Sequence, residues 1–368
     1  MQKISLYFWQ NCISPHQLPY IKELHKDKRI SKVYLIAPVG VSDSRKKMGW
    51  ENLDNVEEVE IIISTDKNVI DNLFITNQEN SIHFFSGIHA DKYVFEYFKI
   101  SLNYNIKRGL ITEPPFDYKI PLFFHKIRFF LFDYKYISKI DYVFGMGDKA
   151  VKYYNLWSKK WKVFLFGYCV NYKLHFNSNH QAENLRFLYV GSLIKRKNVS
   201  LLIKGIGKLK EESGFSLDII GDGIEHDKLI NYVQENNLND KVHFIGKLSM
   251  GDIYNKLSEY NVLILPSVHD GWGAVINEGL QSGLFIISSD NCGAKTLIEN
   301  SNRGIVFKNK NLDSLTNALN YCIGNADKIK SGKQERIDWS ACISGVSMAN
   351  YMIDCLLEQE PVLPPWEK

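Results

Sequence analysis

Short apolar runs alternate with helical patterns over nearly the whole chain. Each run is followed by turn residues and then, in most cases, by apolar residues spaced three and four apart. Apolar runs of this length predict buried strands, and strands separated by helices form parallel sheets because a parallel connection needs a crossover. The predicted strands are Ile4–Trp9, Val33–Ala37, Glu60–Ile63, Ser81–Ser86, Arg108–Thr112, Tyr142–Met146, Lys162–Phe166, Phe187–Val190, Ser216–Ile220, Lys241–Ile245, Val262–Leu265, Phe285–Ser288 and Gly304–Phe307. The sequence therefore predicts an α/β protein with doubly wound sheets.

Length and one polar interruption divide the chain into two domains. At 368 residues and 42.6 kDa, the chain exceeds what one hydrophobic core usually sustains. Between Gly167 and Asn184 it becomes polar. We predict a first domain over 1–170, a linker over 171–184 and a second domain over 185–338.

Composition excludes several classes of protein. With 45% hydrophobic and 23% charged residues the chain is globular, and a net charge of +4 gives no case for nucleic acid. The six cysteines are scattered, with no pair at metal-ligand spacing, and no basic, apolar leader opens the chain. Charged residues break every apolar stretch before the ~20 residues of a membrane span. We expect reduced thiols in a cytoplasmic protein.

Two carboxylates, Asp270 and Glu278, flank a glycine turn just after the predicted strand Val262–Leu265. Loops at the carboxyl ends of parallel strands bind ligands in open α/β sheets. A helix starting near Gly273 or Ala274 offers its N–H groups to an anion, while both carboxylates can accept hydrogen bonds from hydroxyls. The alternative is a tight loop capped by Asp270, with Glu278 on a solvated helix face.

A second glycine turn carries three consecutive cations. Gly191 and Ser192 follow the predicted strand Phe187–Val190, and Lys195-Arg196-Lys197 comes next, before a helical pattern. Such a run is often a solvated surface. At the mouth of a buried strand it can instead neutralise a diphosphate leaving group.

These two motifs together resemble the retaining, metal-independent glycosyltransferases of the GT-B fold, specifically family four (glycosyltransferase group 1) of bacterial cell-surface polysaccharide synthesis. That family has a Glu-x7-Glu motif around a Gly-Phe-Gly-like turn, and Asp270 through Glu278 matches its spacing, with Trp272 in the aromatic slot. Asp270 stands where the family has Glu. Ser192 stands where the family has Arg, and Arg196 is the candidate to supply that charge.

The resemblance implies two Rossmann-like domains facing a cleft, with a C-terminal helix over 339–368 that crosses back to the first domain. Trp339, Ile343, Tyr351 and Leu356 are the residues expected to make that contact. The resemblance also implies that Lys197 contacts the donor diphosphate, Glu278 the ribose and Asp270 the donor hexose. The other expected donor-binding residues are Gly191, Ser192, Arg196, Gly221, Gly223, Gly271, Trp272, Gly273, Ala274 and Val275.

No metal or cofactor is expected. The acidic cluster Asp218–Gly223 has Asp218 inside a predicted strand, so no Asp-x-Asp lies between a strand and a loop. Lys197, with Arg196 and the N–H groups after Gly273, is then expected to stabilise the leaving diphosphate. The resemblance implies retention of anomeric configuration, with the leaving phosphate helping to deprotonate the acceptor hydroxyl.

The first domain is expected to hold the acceptor. Ser14 and Pro15 form a good N-cap and N1 pair, which places His16 and Gln17 in the first helical turn, facing the cleft. Glu113 stands where many relatives have a cleft His. We expect His16 and Glu113 to act in catalysis with Lys197 and Asp270, although His16 could be a surface residue and Glu113 a loop cap. His89 is a further acceptor-side candidate or a solvated loop residue.

The segment 119–139 interleaves aromatic residues with Lys126, Arg128 and Lys135. This pattern suits an anionic membrane surface. It fits still better a helix packed against the sheet through Leu122, Ile127, Phe130 and Leu131 with snorkelling lysines, and both can hold.

The sequence thus predicts a transferase that moves a hexose or N-acetylhexosamine from a nucleotide diphosphate sugar, UDP rather than GDP, to a saccharide acceptor, lipid-linked in this interpretation. We expect it in the cytoplasm, either free or at the inner face of the membrane. The alternative is a non-catalytic nucleotide-sugar-binding protein. A dehydrogenase would need a Gly-x-Gly-x-x-Gly after the first strand, where Ser14-Pro15-His16 stands.

Overall fold

The computed structural model describes residues 3–41, 46, 59–76, 78–88, 91–114, 124, 127, 131, 134–156, 160–170, 184–357 and 362–368. The chain forms two compact units. The first comprises Met1–Cys169 and Ser344–Lys368, and the second comprises Val170–Ile343.

The first unit is built on a seven-stranded parallel sheet of order β3-β2-β1-β4-β5-β6-β7. Its strands are β1 Ile4–Trp9, β2 Ile30–Ala37, β3 Glu60–Ile63, β4 Ser81–Phe85, β5 Lys107–Thr112, β6 Tyr142–Met146 and β7 Lys162–Phe166. Its helices up to β7 are α1 Leu18–Leu24, α2 Lys67–Ile75, α3 Lys92–Ser101, α4 Tyr134–Ile137 and α5 Asp148–Asn155.

The second unit is built on a six-stranded parallel sheet of order β10-β9-β8-β11-β12-β13. Its strands are β8 Leu185–Val190, β9 Phe215–Ile220, β10 Val242–Gly246, β11 Val262–Leu265, β12 Phe285–Ser289 and β13 Gly304–Phe307. Its helices are α6 Val199–Lys208, α7 His226–Glu235, α8 Met250–Leu257, α9 Val275–Gln281, α10 Leu312–Gly324, α11 Ala326–Ser331 and α12 Lys333–Trp339.

All thirteen predicted strands are present, so the α/β prediction is confirmed, with differences only at strand ends. The largest difference is in β2, which begins at Ile30 rather than Val33. Ile30 pairs with Ile4, and the register shifts before Leu6 pairs with Val33. The extra residues thus belong to an irregularity that apolar periodicity does not reveal.

Each unit has its own core between sheet and helices. In the second unit, Phe187 and Ile219 of the sheet, Ile203 of α6 and Leu315 and Leu319 of α10 are all buried in one cluster. Each such side chain contributes about 1.5–3 kcal/mol by leaving water. The core of the second unit therefore holds fixed the strand ends that carry the two motifs.

A row of rings crosses the sheet of the first unit. Tyr34, Tyr7 and His83 lie in register on β2, β1 and β4, with ring centroids 4.4 and 4.3 Å apart. Burial lowers the pKa of His83 to about 3, with the Arg108 charge adding to the effect. His83 is therefore neutral, and its Nδ1 accepts a hydrogen bond from Trp9 Nε1 at 3.1 Å.

The C-terminal helix α13, Gly345–Leu357, belongs to the first unit. It packs against α1, and Tyr351 donates from its hydroxyl to the Leu165 carbonyl at 3.0 Å. Trp339 and Ile343, expected to make this contact, instead lie in the second unit. The Trp339 ring is held there by the Arg303 guanidinium, 3.9 Å from its centroid.

One helical stretch of the described chain, Lys333–Leu357, has the length and apolar composition of a membrane span. It consists of α12, a 3-10 turn and α13, and more than half of it is buried inside the protein. Core helices of this kind meet the same criterion. The six cysteines form no disulfide.

Candidate functional site

The two predicted motifs come together in the second unit. Lys197 follows β8 and Asp270 follows β11, and these neighbouring strands lead to opposite halves of the sheet. Lys197 Nζ lies 2.5 Å from Asp270 Oδ2, although the residues are 73 positions apart. The pair occupies the topological switch point, where open α/β sheets bind ligands.

Two further side chains contact the Asp270 carboxylate. Arg196 Nη1 lies 3.6 Å from Asp270 Oδ1, and the Ser267 hydroxyl donates to Oδ2 at 3.2 Å. Burial by itself would raise the pKa of the Asp270 carboxyl, but Lys197, Arg196 and Ser267 hold it below its ordinary value. The side chains of Asp270 and Lys197 are only 13% and 16% exposed, so this ion pair is not a solvated surface contact.

Backbone contacts fix both loops. Lys197 ends a 3-10 turn, and Asn198 adopts a left-handed conformation with φ 56° before α6 begins. The Val268 N–H donates to the Arg196 carbonyl at 2.8 Å, which joins the two loops. Arg196 also donates from Nη1 to the His269 carbonyl at 2.7 Å. Lys195 and Arg196 are exposed, whereas Lys197 turns into the site.

The glycines near this site have a packing role. Gly273 has φ 92°, and a Cβ there would lie 2.6 Å from Cys292 Sγ. A Cβ on Gly221 would collide with the Gly191 carbonyl oxygen, and one on Gly223 would lie 2.5 Å from the Leu193 oxygen. The loops after β8 and β9 therefore touch through their backbones. Ser192 contributes its carbonyl oxygen, which accepts from the Tyr189 hydroxyl at 3.0 Å.

The helix after the Asp270 loop begins at Val275, one or two residues later than predicted, with Ala274 as N-cap. Within the described chain, the N–H groups of Gly273, Ala274 and Val275 form no hydrogen bond. The Gly271 carbonyl packs so closely on Gly293 that a side chain there would not fit. The turn that follows Asp270 thus presents three successive N–H donors.

Glu278 is buried in α9, with 8% of its surface exposed. Burial raises the pKa of its carboxyl to about 7, and a hydrogen bond from the Tyr254 hydroxyl to Oε1, at 3.3 Å, acts in the opposite direction. The alternative of a solvated helix face is wrong for Glu278. It is a carboxylate that changes charge near neutral pH.

Trp272 differs from the expectation. Its side chain is 1% exposed, and its Nε1 donates to Asn277 Oδ1 at 2.8 Å. The ring is therefore buried in the protein, where it supports the turn, and does not offer a face to a ligand. An aromatic residue between two glycines does not reveal by itself which way the ring turns.

The first loop of the first unit also differs. Residues 15–17 form a turn, and α1 begins at Leu18 with Pro19 in its first turn, so Ser14 and Pro15 are not the cap pair. Ser14 Oγ instead accepts from the His16 N–H at 3.3 Å. A second proline four residues later competes for the same helical position. Gln17 is buried and His16 partly buried, both ahead of the helix.

Tyr168 connects two predicted acceptor-side residues within the first unit. Its ring centroid lies 6.0 Å from that of His16, and its hydroxyl donates to Glu113 Oε1 at 3.4 Å. The Cys169 N–H donates to the His16 carbonyl at 3.2 Å, which ties the end of this unit to its first loop. His16 and Glu113 thus belong to one cluster.

Sequence reasoning missed Tyr168, Tyr254 and Ser267. Tyr168 follows β7 by two residues, and residues after strand ends are the usual site positions. Tyr254 lies inside a helix, where nothing in the pattern marks it. Ser267 lies three residues before Asp270, in the connection between β11 and the glycine turn, where nothing in the pattern marks it.

His89 lies outside the described residues, as does most of the segment 119–139. Of its described apolar residues, Phe124, Ile127 and Leu131 are exposed, Leu131 by 68%, whereas Ile137 is buried. The packing alternative is therefore wrong for Ile127 and Leu131. Leu122 and Phe130 are not described.

The family model for glycosyl transferases group 1 matches residues 171–338. The matched residues, a little less than half of the chain, are similar to that family. They contain the Lys197–Asp270 pair, Glu278 and the three free N–H groups. The match covers the second unit, with the boundary that the structure places at Val170.

Similar curated proteins are glycosyltransferases. An uncharacterized glycosyltransferase of Methanocaldococcus jannaschii is 26% identical over 43% of this chain and 46% of its own. The capsular polysaccharide biosynthesis glycosyltransferase CapH of Staphylococcus aureus is 28% identical over 48% of each chain. An N-acetylgalactosaminyltransferase of Campylobacter jejuni, named for a diphospho-undecaprenol acceptor, is 27% identical over 40% of each. Each match spans less than half of the relative's length.

Solved structures match the whole chain in fold. HepE of Anabaena, solved in complex with UDP, has a TM-score of 0.70 at 14% identity, covering 96% of this chain and 99% of its own. With the two parallel sheets described above, this match shows that the protein has the two-domain, Rossmann-like GT-B fold.

Proposed function

We propose that this protein is a retaining, metal-independent glycosyltransferase. It transfers a hexose or N-acetylhexosamine from a nucleotide diphosphate sugar, UDP rather than GDP, to a saccharide acceptor. The observation that carries the proposal is the Lys197–Asp270 ion pair at the switch point of the second sheet, followed along the chain by the N–H groups of Gly273, Ala274 and Val275 and by Glu278 in α9. Cations and N–H groups suit a diphosphate, and carboxylates suit hydroxyls.

In this proposal Lys197 and the N–H groups of Gly273, Ala274 and Val275 bind the diphosphate. As the glycosidic bond breaks, negative charge grows on the leaving phosphate, and these fixed donors stabilise it most at that point. Asp270 holds Lys197 in place and accepts from a hydroxyl of the donor hexose. Glu278 accepts from the ribose hydroxyls.

Retention follows in this scheme from attack on the face that the diphosphate leaves. The leaving phosphate takes the proton of the acceptor hydroxyl, and the scheme needs no covalent intermediate between the sugar and a side chain of the protein. His16 and Glu113, connected through Tyr168, position and polarise the acceptor hydroxyl.

The first experiment is a thermal-shift screen with nucleotide sugars, since a ligand that binds only the folded state raises its stability. Donor hydrolysis and transfer are then measured with and without saccharide acceptors, and the anomeric configuration of the product is read by NMR. An inverted product contradicts the retaining mechanism. Donor binding without any turnover identifies a non-catalytic nucleotide-sugar-binding protein instead.

We further propose a lipid-linked acceptor in surface polysaccharide synthesis, such as capsule or O-antigen, at the cytoplasmic face of the membrane. The names of the Staphylococcus aureus and Campylobacter jejuni relatives support this proposal. The exposed Ile127 and Leu131, in a stretch that also contains Lys126 and Arg128, suit an anionic lipid surface.

Vesicle sedimentation tests the membrane contact. We expect the protein to bind vesicles of phosphatidylglycerol better than neutral phosphatidylcholine vesicles, and Ile127→Ser with Leu131→Ser to weaken this binding. The matched control is Leu156→Ser, which removes an exposed leucine elsewhere in the first unit. Equal sedimentation of all three proteins argues against a membrane role for this segment.

A further inference from the structure

The Tyr254 side chain holds the only hydrogen bond that the described chain makes to the Glu278 carboxylate. Its hydroxyl donates to Oε1 at 3.3 Å, and Oε2 forms no hydrogen bond with any described residue. Tyr254 lies in α8 and Glu278 in α9, so two separate helices form the contact. One carboxylate oxygen is thus fixed, and the other is left to accept from a ligand.

The position of Tyr254 is itself fixed. Ser249 caps α8, with its Oγ accepting from the Asp252 N–H at 3.1 Å. Leu257 of the same helix is buried. Tyr254 is partly buried between these two points, so its hydroxyl is held at a defined place.

We propose that Tyr254 is a positioning residue for nucleotide binding: its hydroxyl donates to Oε1 of Glu278, so that Oε2 can accept from the ribose diol of a nucleoside diphosphate. This inference rests on the proposed function, because it needs a nucleotide at this site. It assigns a role to a residue outside both sequence motifs.

Three charged groups on α8 and on α12, which packs against α9, are engaged elsewhere. Lys333 Nζ donates to the Ser258 carbonyl, and Arg336 donates to the carbonyls of Gly283 and Ile329. Asp252 Oδ2 accepts from Ser249 Oγ at 2.6 Å. The remaining titratable groups on these elements are Lys256, Glu335, Asp338 and Cys342. Burial and the Tyr254 hydroxyl are the two influences on the pKa of Glu278.

The direction of the effect follows from these contacts. A ribose hydroxyl donates to the ionised carboxylate and not to the protonated one, so only the ionised form binds well. Removing the Tyr254 hydroxyl takes away a donor to the ionised form, so the pKa of Glu278 rises further. Removal of the hydroxyl therefore weakens nucleotide binding strongly at pH values below this pKa and only slightly above it.

The test compares the wild type with Tyr254→Phe. The matched control is Tyr260→Phe, which removes a hydroxyl that donates to another carboxylate of the same unit, Asp218 Oδ2 at 2.8 Å. The Glu278 titration is followed by NMR on protein labelled with ¹³C at the glutamate carboxyls, and the resonance is assigned from Glu278→Gln. UDP affinity is measured by calorimetry at pH 6.5 and 9.

For Tyr254→Phe we expect the pKa of Glu278 to rise by about 0.5 to 1. UDP affinity should then be about three- to tenfold weaker at pH 6.5. At pH 9 the two proteins are expected to bind nearly equally, and Tyr260→Phe is expected to match the wild type at both pH values. Unchanged titration and affinity in Tyr254→Phe overturn the inference. So does an equal loss of affinity at both pH values, which a merely structural role would produce.

Failure of the proposed function has a different signature. A wild type that binds neither UDP nor GDP overturns the nucleotide site, and the positioning role with it, even if Glu278 titrates as expected. A wild type that binds UDP while Tyr254→Phe behaves identically overturns only the role of Tyr254.

A second pair of variants keeps the test decisive if Tyr254→Phe folds poorly. Glu278→Gln cannot ionise, so adding Tyr254→Phe to it is expected to change UDP affinity by one factor at both pH values. A pH-dependent change in the Gln background contradicts the proposal.

Discussion

The carboxyl edges of the two sheets differ in how their polar side chains are held. In the second unit, Lys197 and Asp270 form a mostly buried ion pair, and Glu278 is buried in α9. In the first unit, Glu113 is exposed and meets Tyr168 through a 3.4 Å hydrogen bond, while His16 lies in a turn. Both edges have a switch point, beside β8 and beside β1.

The difference indicates which edge binds a ligand of fixed chemistry. A buried ion pair is costly to desolvate, and it persists where its geometry is set by many contacts. The second unit provides these contacts through close glycine packing and joined loops. In the first unit Glu113 is exposed and His16 is partly buried, which suits the more open acceptor side of our proposal. The following predictions test this contrast.

Lys197→Ala is expected to have the largest effect. We expect turnover to fall about 10²–10³-fold, as when one fixed donor to a developing oxyanion is removed, with a smaller loss of donor affinity. Steady-state kinetics with a nucleotide sugar give both values. Lys195→Ala, on the same 3-10 turn but exposed, is the control and should behave as wild type. Intact turnover in Lys197→Ala would remove this residue from the mechanism.

Glu278→Gln is expected to weaken donor binding about ten- to hundredfold, since hydrogen bonds to a charged group contribute about 1.5–3 kcal/mol. In the wild type, donor affinity should rise as pH increases through about 7, because the ionised carboxyl accepts from the ribose. Calorimetry between pH 5.5 and 8.5 measures this slope. Glu235→Gln, exposed on α7, is the control.

The stability of Glu278→Gln has its own pH dependence. A pKa raised from 4.5 to about 7 in the folded state stabilises the protein fully below pH 4.5, and this contribution is lost as pH rises through about 7. Relative to wild type, Glu278→Gln should therefore gain up to about 3 kcal/mol in free energy of unfolding over that interval. Urea unfolding at pH 4.5 and 8.5 checks the sign, and an opposite trend rejects a buried neutral acid at this position.

His16→Ala and Glu113→Ala are expected to have a smaller effect, about tenfold on transfer, at or below the low end for acid–base groups because Glu113 is open to solvent. Donor affinity should stay the same, since the donor contacts lie in the second unit. Product formation and calorimetry are compared in each variant, with His25→Ala, exposed after α1, as control. Native transfer rates in both variants would make the Tyr168 cluster structural.

A chelator is expected to have the smallest effect. Lysine and backbone N–H groups stabilise the leaving diphosphate in our proposal, so transfer should continue in EDTA at the untreated rate. Loss of transfer that Mn²⁺ or Mg²⁺ restores would reveal an acidic metal site. It would also contradict the proposal that Lys197 and backbone N–H groups alone stabilise the diphosphate at the edge of the second sheet.

Much of the fold could be predicted from local patterns. The apolar runs predicted all thirteen strands, most clearly the central ones such as Val262–Leu265, because a strand buried on both faces is apolar along its whole length. The same run, followed by the glycine turn between Asp270 and Glu278, predicted the order of strand, loop and helix. Caps were less reliable, since Ser14-Pro15 and Pro19 offered two starts for one helix.

The sequence by itself determined the parallel α/β architecture and which strand ends carry charged and glycine residues, because both depend on neighbours in the chain. Only the tertiary structure decided that Lys197 meets Asp270, that the Trp272 ring is buried, and that Tyr254 and Tyr168 reach Glu278 and Glu113. Strand order and helix packing set those distances between residues 24 to 73 positions apart. Periodicity within a segment carries no information about which segments become neighbours.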